Sequence, residues 1–333
     1  MNVSHKTHAM NSIAHFPIMN PNHVFSASLC SCRLSLLILG FLSPLAVAPT
    51  SAVTTFSSPE KAVSALSTAV SHRDTNALYA IFGPELRDIR SADPVQAQNE
   101  LTDFITRFNA TNHIAHVQAD RCTLEIGTDQ WPFAIPLVRT NGSWFFDTAA
   151  GKHELTLRRI GDNELQALKS IRAGADAQRE YASADRDGSG VMKYAQKIVS
   201  TSGTKDGLYW PKDLDGTMSP LGPAIAEAQT QGYLQQPAGQ SGPQPFHGYF
   251  FKILTQQGPH ATGGKYDYII NGNMIAGFAL VAWPAKYRDT GIMTFIINQQ
   301  GKVYQKDLGP DTESLAAKMT AYDPDPNWII SPD

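Results

Sequence analysis

The sequence predicts an α+β protein, in which helices are followed by antiparallel sheets in each of two domains. The chain has 333 residues, and since domains usually contain about 100–200 residues, this length favours two of them. Apolar residues recur at helical spacing between residues 57 and 108, and they alternate with polar ones in short runs from residue 117 onward. Turn sequences such as Asn141-Gly142 separate these runs and predict antiparallel hairpins.

Residues 1–52 have the features of a signal peptide. An apolar run, Leu34–Ala48, follows Arg33, and small residues lead up to a cleavage site after Ala52. The run holds about 15 residues, which is short for a bilayer span of about 20, so a membrane anchor is the alternative. We expect a periplasmic or secreted protein that has no integral membrane segment after cleavage. Translation starts at the first methionine or at Met19.

The composition excludes an overall basic surface made for nucleic acid. The chain carries 27 basic and 30 acidic residues, and removal of the leader leaves 25 basic ones and a net charge of −5. Nucleic acid is therefore not an expected partner. Of the three cysteines only Cys122 follows the leader, so the exported chain must be stabilised by burial rather than by a disulfide. Cys122 alternates with Leu124 and Ile126, which predicts a buried structural thiol.

Residues 53–155 are predicted to form the first domain, with helices before strands. Ser57-Ser58-Pro59-Glu60 has the pattern of a helix cap. The predicted helices run from Pro59, over Thr75–Phe82 and over about Pro94–Phe108, and the predicted strands are Val117–Ile126, Trp131–Arg139 and Ser143–Asp147. The strand FAIPLV, the Asn-Gly turn and the segment SWFFD resemble the curved sheet of nuclear-transport-factor-2-like (NTF2-like, cystatin-like) cones. This resemblance implies a fold only, because such cones occur in enzymes and in binding modules alike.

Residues 156–333 are predicted to form the second domain, a long helix packed on an antiparallel meander. Leu165, Leu168 and Ile171 begin an apolar stripe along a helix over residues 162–184. After a loop-rich segment with a short helix near Gly222–Thr230, strands are predicted at Tyr249–Thr255, Tyr266–Asn271, Phe278–Trp283, Ile292–Asn298 and Val303–Lys306. The third of these strands is apolar on both faces. We expect one face to meet the helix and the other to meet the first domain or a partner protein of the envelope.

Three long segments of the chain closely resemble a bacterial family, domain-of-unknown-function family 2950. They cover residues 179–211, 246–261 and 264–312, and the resemblance as a whole spans about residues 55–330. It implies an exported protein of a Gram-negative bacterium and supplies no catalytic residues. The segments GYFFKIL, FALVAWP and TGIMTFIINQQGKVY are also similar to the globular part of pseudopilins and type IV pilins. The leader lacks a prepilin peptidase site, so this similarity implies at most a soluble pilin-like module.

Common catalytic motifs do not occur in the sequence, which contains no H-E-x-x-H, C-x-x-C, G-x-S-x-G or P-loop pattern. The best acid–base pair that it offers is His260, in the loop Gly258–Gly264, with Asp267 on the next strand. A plain hairpin tip is the alternative for this loop. His113 and His116 are expected to share a face near a helix end, but two ligands do not make a zinc site.

Asp185, Asp187 and Ser189 match the opening of a calcium-binding loop. Their oxygens would serve as ligands, and the glycine that follows Ser189 permits the sharp turn that such loops need. The ninth position is Lys193 and the twelfth is Gln196, where a bidentate glutamate belongs, so the loop has lost charge and one ligand. The alternative is a turn in which aspartate side chains cap backbone amides.

The sequence therefore predicts an exported bacterial envelope protein that binds or scaffolds another protein without catalysis. One alternative is a hydrolase or other enzyme that uses the region of His260 and Asp267. Another is a secreted module stabilised by structural calcium. No other cofactor is expected, and the sequence names no ligand, partner or oligomeric state.

Overall fold

The computed structural model describes residues 53–233 and 244–332, which belong to one compact unit. The predicted signal peptide lies outside these residues. The described helices are α1 (Pro59–Ser71), α2 (Thr75–Phe82), α3 (Pro94–Ala110), α4 (Thr148–Ala182), α5 (Gly222–Thr230) and α6 (Thr312–Lys318). The described strands are β1 (Asn112–Gln118), β2 (Arg121–Ile126), β3 (Trp131–Pro132), β4 (Leu137–Thr140), β5 (Ser143–Phe146), β6 (Lys197–Val199), β7 (Gly207–Tyr209), β8 (Tyr249–Leu254), β9 (Gln256–Gln257), β10 (Tyr266–Asp267), β11 (Ile269–Ile270), β12 (Asn273–Met274), β13 (Ala279–Pro284), β14 (Met293–Asn298), β15 (Tyr304–Asp307), β16 (Ala321–Tyr322) and β17 (Ile329–Ile330).

This mixture of helices and mainly antiparallel sheets confirms the predicted α+β class. Two short pairs, β6 with β7 and β9 with β16, are parallel. Within the part of the chain that the structure describes, no helix combines the length and the apolar character that crossing a membrane requires.

Local capping explains where the N-terminal helices begin. The hydroxyl of Ser58 accepts a hydrogen bond from the amide of Lys61, as expected for the cap of α1. Asp93 caps α3 in the same way, because its Oδ1 accepts from the amides of Val95 and Gln96. Helix α2 has the bounds that its sequence predicts.

The first sheet has the strand order β1-β2-β4-β5, with β3 beside β2. Its buried residues pack with those of α1, α2 and α3 in a core that includes Leu66, Phe108 and the fully buried Cys122. The prediction of one strand over Val117–Ile126 is wrong, since β1 and β2 form a hairpin that turns between residues 118 and 121. Asp120 is the one turn-favouring residue in this turn, and without Gly, Asn or Pro beside it the signal is weak.

Helix α4 connects the two halves of the described chain. It has 35 residues and begins after Asp147, whose carboxylate caps the amide of Ala150. The predicted helix starts at residue 162, and the structure begins it 14 residues earlier. Gly151 lies within the added turns, where a Cβ would come 2.7 Å from the Ile135 side chain. One continuous helix therefore crosses residue 155, where we expected a domain boundary.

The second large sheet has the order β17-β15-β14-β13-β8 and is antiparallel throughout. All six residues of β13 are buried, as its apolar sequence predicts. Leu280 faces α4, since its Cδ1 lies 3.2 Å from the position that a Cβ on Gly174 would take. Val281 faces the other way, with Lys252 opposite it in β8.

Helix α6 covers the face that carries Val281. The Nζ of Lys252 donates to the carbonyl of Ala317 at 2.6 Å, and Ala316 of α6 is fully buried. We expected the first domain or a partner protein on this sheet face, and both expectations are corrected, because the chain's own helix α6 covers it. Seven residues of α6 are too few for their periodicity to reveal an amphipathic helix.

Candidate functional site

His260 contacts Asp323 rather than the carboxylate that the sequence suggested. Its ring nitrogen Nδ1 lies 3.0 and 3.1 Å from the two carboxylate oxygens of Asp323, and its backbone amide donates to the same group at 2.8 Å. Asp267 is exposed on β10, and no hydrogen bond joins it to His260. The structure thus corrects the predicted pairing of His260 with Asp267. Asp323 takes the place of Asp267 because the strand before it, β16, pairs in parallel with β9.

The loop that carries His260 is held rigidly from inside. The fully buried Gln257 donates through Nε2 to the carbonyls of Thr262 and Gly264, at 2.9 and 2.6 Å. A carboxylate accepts but does not donate, so Nδ1 of His260 carries the proton of the pair and Nε2 is left as the outer nitrogen. Nε2 makes no hydrogen bond to any residue that the structure describes. The side chain is 51% exposed, and its role in catalysis stays a prediction.

The Asp185 loop has the shape of a turn that caps its own amides. Asp185 accepts from the amide of Ser189 at 3.1 Å and from that of Gly190 at 2.8 Å. Asp187 accepts from the same Ser189 amide at 3.3 Å. These are the hydrogen bonds expected of a turn capped by aspartate side chains, which was the alternative to a calcium-binding loop. In the described ranges, no group of three or more His, Cys, Asp or Glu side chains is arranged to hold a metal ion.

The ammonium of Lys193 lies among the oxygens of this loop. Its Nζ is 2.8 Å from Oδ2 of Asp187 and 3.0 Å from Oγ of Ser189. It also donates to Oδ1 of Asn273 in β12, at 2.9 Å. The hydrogen bond from Lys193 is the main reason why the pKa of Asp187 is lowered.

His113 and His116 lie on the strand β1, just after α3 ends, and not on a helix, which corrects their expected position. Nε2 of His113 is 2.7 Å from Oε2 of Glu125 on the neighbouring strand β2. His113 borders an open groove of about 590 Å³ between α1 and β1, together with the hydroxyl-bearing residues Ser64 and Ser67. The groove offers hydrogen-bonding groups to a polar molecule, but Nε2 of His113 is already in contact with Glu125.

A partly buried group of charged and amide side chains joins α3, α4 and the C-terminal sheet; we call it the junction cluster. Its members are Asp93, Glu100, Arg159, Asn163 and Asp289. The side chain of Arg159 is 4% exposed. Its Nε donates to Glu100 at 2.9 Å, and its Nη1 donates to Asp289 at 3.0 Å. The remaining guanidinium nitrogen contacts Glu100 at 3.2 Å and the carbonyl of Ile89.

The other two members of the junction cluster join the same elements. The second oxygen of Asp93 accepts from the amide of Gly248 at 3.0 Å. Asn163 donates to the carbonyl of Thr290 at 2.8 Å. Gly248 has a φ of 71°, and a Cβ there would lie 2.5 Å from Nδ2 of Asn163, so only glycine fits. Every charged group of this cluster is satisfied by another part of the protein.

Trp131 is the one large aromatic residue among the exposed large hydrophobic side chains of the described chain. It is 48% exposed and lies in the short strand β3. The guanidinium of Arg158 lies 5.1 Å from the centre of its ring. Nε of Arg158 donates to Oε1 of Glu154, one turn earlier on α4, at 2.7 Å. Nη1 of Arg158 donates to the carbonyl of Pro132 at 2.9 Å. The Trp131–Arg158 pair is therefore a fixed feature of the surface.

The comparison with protein families decides what this chain is related to. A family model, protein of unknown function (DUF2950), matches residues 53–330. The chain belongs to this family. No curated protein matches it, and no solved structure does. For a DUF2950 protein the roles of side chains must come from their geometry, and the similarities to pilins and to NTF2-like cones stay predictions.

Sequence reasoning missed most of the interior charges of this DUF2950 chain. Arg159 and Asn163 occupy positions four residues apart that continue, through Ala167, to the apolar residue Ile171. A charged residue in line with an apolar stripe is a signal for a buried ion pair, and it was available. The partners Glu100 and Asp289 were not available, because they come from distant elements.

Proposed function

We propose that this DUF2950 protein is an exported protein of the bacterial envelope that binds another envelope protein without catalysing a reaction. The predicted leader of residues 1–52 and the family resemblance support export. The surface of the Trp131–Arg158 pair replaces the sheet face that we first expected to meet the partner, because that face is covered by α6.

The exposure of Trp131 is the observation that carries this proposal. Tryptophan and arginine are the residues that most often dominate the binding energy of protein interfaces. A side chain that is held before binding loses less conformational entropy when the complex forms. Arg158 is held by two contacts within the protein, so the pair is prepared for a partner.

The junction cluster supports a role without catalysis. An arginine between two carboxylates has the composition of many active sites, and perturbed groups often mark such sites. Here the guanidinium of Arg159 is consumed in holding Glu100 and Asp289 together. The cluster thus connects α3, α4 and the turn before β14, and its chemistry is structural.

Cross-linking of the mature protein in intact envelopes, read by mass spectrometry, tests the proposal. We expect a saturable protein partner whose capture falls roughly 30-fold in Trp131→Ala, since a central interface residue contributes about 2 kcal/mol or more. The matched control is Leu315→Ala on α6, where Leu315 is 50% exposed. It should capture the partner as the wild type does. Equal capture by both variants, or an equal loss in both, contradicts a role for the Trp131 surface.

Export is tested separately from binding. The periplasmic or culture fraction should contain a chain whose first residue is Val53, as measured by the mass of the intact protein. A full-length chain that remains in the membrane fraction would favour the anchor instead.

The geometry of His260 favours one second candidate, an enzyme that uses this histidine as an acid or base. A carboxylate that fixes Nδ1 of a histidine and leaves Nε2 outward is the arrangement of many catalytic dyads. His260→Ala and Asp323→Asn should then abolish the contribution of the protein to cell fitness while leaving partner capture intact. If both fitness and capture survive, this candidate loses its centre.

A further inference from the structure

The Asp185 loop has the backbone of a cation-binding loop. Gly188 and Gly190 have φ values of 70° and 78°, which allow the chain to turn sharply around a centre. Asp185 accepts from two backbone amides inside the turn, as the first aspartate of such loops does. The carboxylate oxygen of Asp187 and the hydroxyl of Ser189 are directed at one point.

That point is taken by a positive charge that belongs to the chain. Lys193 occupies the ninth position of the motif, and its ammonium makes three contacts of 2.8 to 3.0 Å with oxygen atoms. Its side chain is 15% exposed, so the charge is largely removed from water. Calcium needs six to eight oxygens at about 2.3–2.6 Å. It would have to displace the ammonium, because two positive charges at one point repel each other strongly.

The third oxygen comes from a different part of the fold. Asn273 lies in β12, eighty positions after Lys193, on the hairpin formed with β11. Gln196, at the twelfth position where a calcium loop has its glutamate, donates instead to the carbonyl of Gly272 at 2.8 Å. The amide of Tyr194 donates to the carbonyl of Met274 at 2.8 Å. Residues 193–196 therefore attach the loop to this hairpin.

We propose that Lys193 replaces the calcium ion of this loop, so that the loop and the β11–β12 hairpin are held together by an internal cation. The folded protein accordingly has no requirement for calcium. The ammonium completes the loop in every environment, including one in which free calcium is scarce. The site takes no metal until the ammonium is removed, and then it accepts hard divalent or trivalent cations.

The test compares the full mature protein with two lysine variants in thermal melting. In the wild type, Tm should be the same with a chelator and with millimolar calcium chloride. In Lys193→Met, Tm should be lower by roughly 5 °C in chelator, since a charge-assisted network is lost. Calcium should recover part of this loss, because the oxygens of the loop then lack a counter-ion.

The matched control is Lys197→Met. The ammonium of Lys197 also contacts a carboxylate, Asp206, and a hydroxyl, that of Thr201, but it lies outside the loop. If the proposal is right, the Tm of Lys197→Met should not respond to calcium, whatever its value in chelator. A rise of the wild-type Tm with calcium, or an unchanged Tm in Lys193→Met, would overturn the proposal.

A second measurement covers the case in which Lys193→Met does not fold. Acetylation of the wild-type lysines, followed by mass spectrometry, should modify Lys193 more slowly than Lys197, whose side chain is 50% exposed. Added calcium should leave the two rates unchanged. Faster modification of Lys193 on addition of calcium means that the metal displaces the ammonium and that the proposal is wrong.

Discussion

Replacement of Arg159 by methionine tests whether the junction cluster holds the two halves of the chain together. Methionine keeps much of the length and the apolar stem of arginine but removes the guanidinium. The change leaves Glu100 and Asp289 without their shared partner, and it leaves the carbonyl of Ile89 unpaired. We expect a loss of stability rather than a local defect, because all three partners come from different elements.

The size of the effect follows from how far each carboxylate is buried. Removal of one partner of a buried ion pair costs about 3–5 kcal/mol when the other charge stays buried. Asp289 is 15% exposed and keeps Lys286 at 3.2 Å, so it retains part of its compensation. Glu100 is 39% exposed and can regain water. We therefore expect the free energy of unfolding to fall by about 2–4 kcal/mol at pH 7.

Urea unfolding of the mature protein, followed by circular dichroism, measures this loss. The control is Arg107→Met, because Arg107 makes two ion pairs with exposed carboxylates and should cost less than about 1 kcal/mol. Burial already raises the pKa of Glu100 above its ordinary value, against the lowering effect of Arg159. Without Arg159 this pKa rises further. The pKa of Glu100 is then higher in the folded variant than in the unfolded chain. The variant therefore loses stability as pH rises through the folded-state pKa, and its deficit relative to the wild type should shrink on going from pH 7 to pH 5. A stability deficit below about 1 kcal/mol, or one that is the same at pH 7 and pH 5, would refute the reasoning.

Three further predictions concern single contacts. Gly248→Ala should lower the free energy of unfolding by about 2–4 kcal/mol in the same urea assay, because its φ is positive and the new Cβ meets Asn163. Gly258→Ala should speed hydrogen exchange of the amide that contacts Asp323, since a Cβ would come within 2.2 Å of that carboxylate group; unchanged protection would contradict this. Asp187, whose pKa is lowered by its lysine partner, contributes stability that is present above the unfolded-state pKa of about 4 and is lost as pH falls through the folded-state value. Melting between pH 7 and pH 2 should show this loss in the wild type and a smaller one in Asp187→Asn.

Local signals predicted the parts of the fold that local interactions determine. The helices Thr75–Phe82 and Gly222–Thr230 have the bounds that their flanking residues suggest, and the α+β class follows from the order of the elements. The start of α4 was missed because the apolar spacing before residue 162 is irregular, whereas the cap at Asp147 was a readable signal.

The candidate site depended on contacts that the sequence does not display. Asp323 meets His260 through a parallel pair of two-residue strands, which is too short for any pattern to reveal. The aspartates of the Asp185 loop and the lysine at its ninth position were recognised from their spacing alone. The proposal that Lys193 takes the place of a cation in this loop also depends on its contact with Asn273, a residue that only the folded chain brings near.

The continuity of α4 has a consequence for how this chain can be divided. Thirty-five residues at 1.5 Å each make a rod about 52 Å long, and both hydrophobic cores rest on it. A cut at residue 155 would separate the first sheet from the turns of α4 that carry Arg159. It would also separate the rest of α4 from its N-terminal cap at Asp147. Neither half is then a self-sufficient piece, which agrees with a family model that spans both without a break. Under the proposed function, a protein bound at Trp131 would also contact the N-terminal part of this rod, because Arg158 of α4 lies against the Trp131 ring.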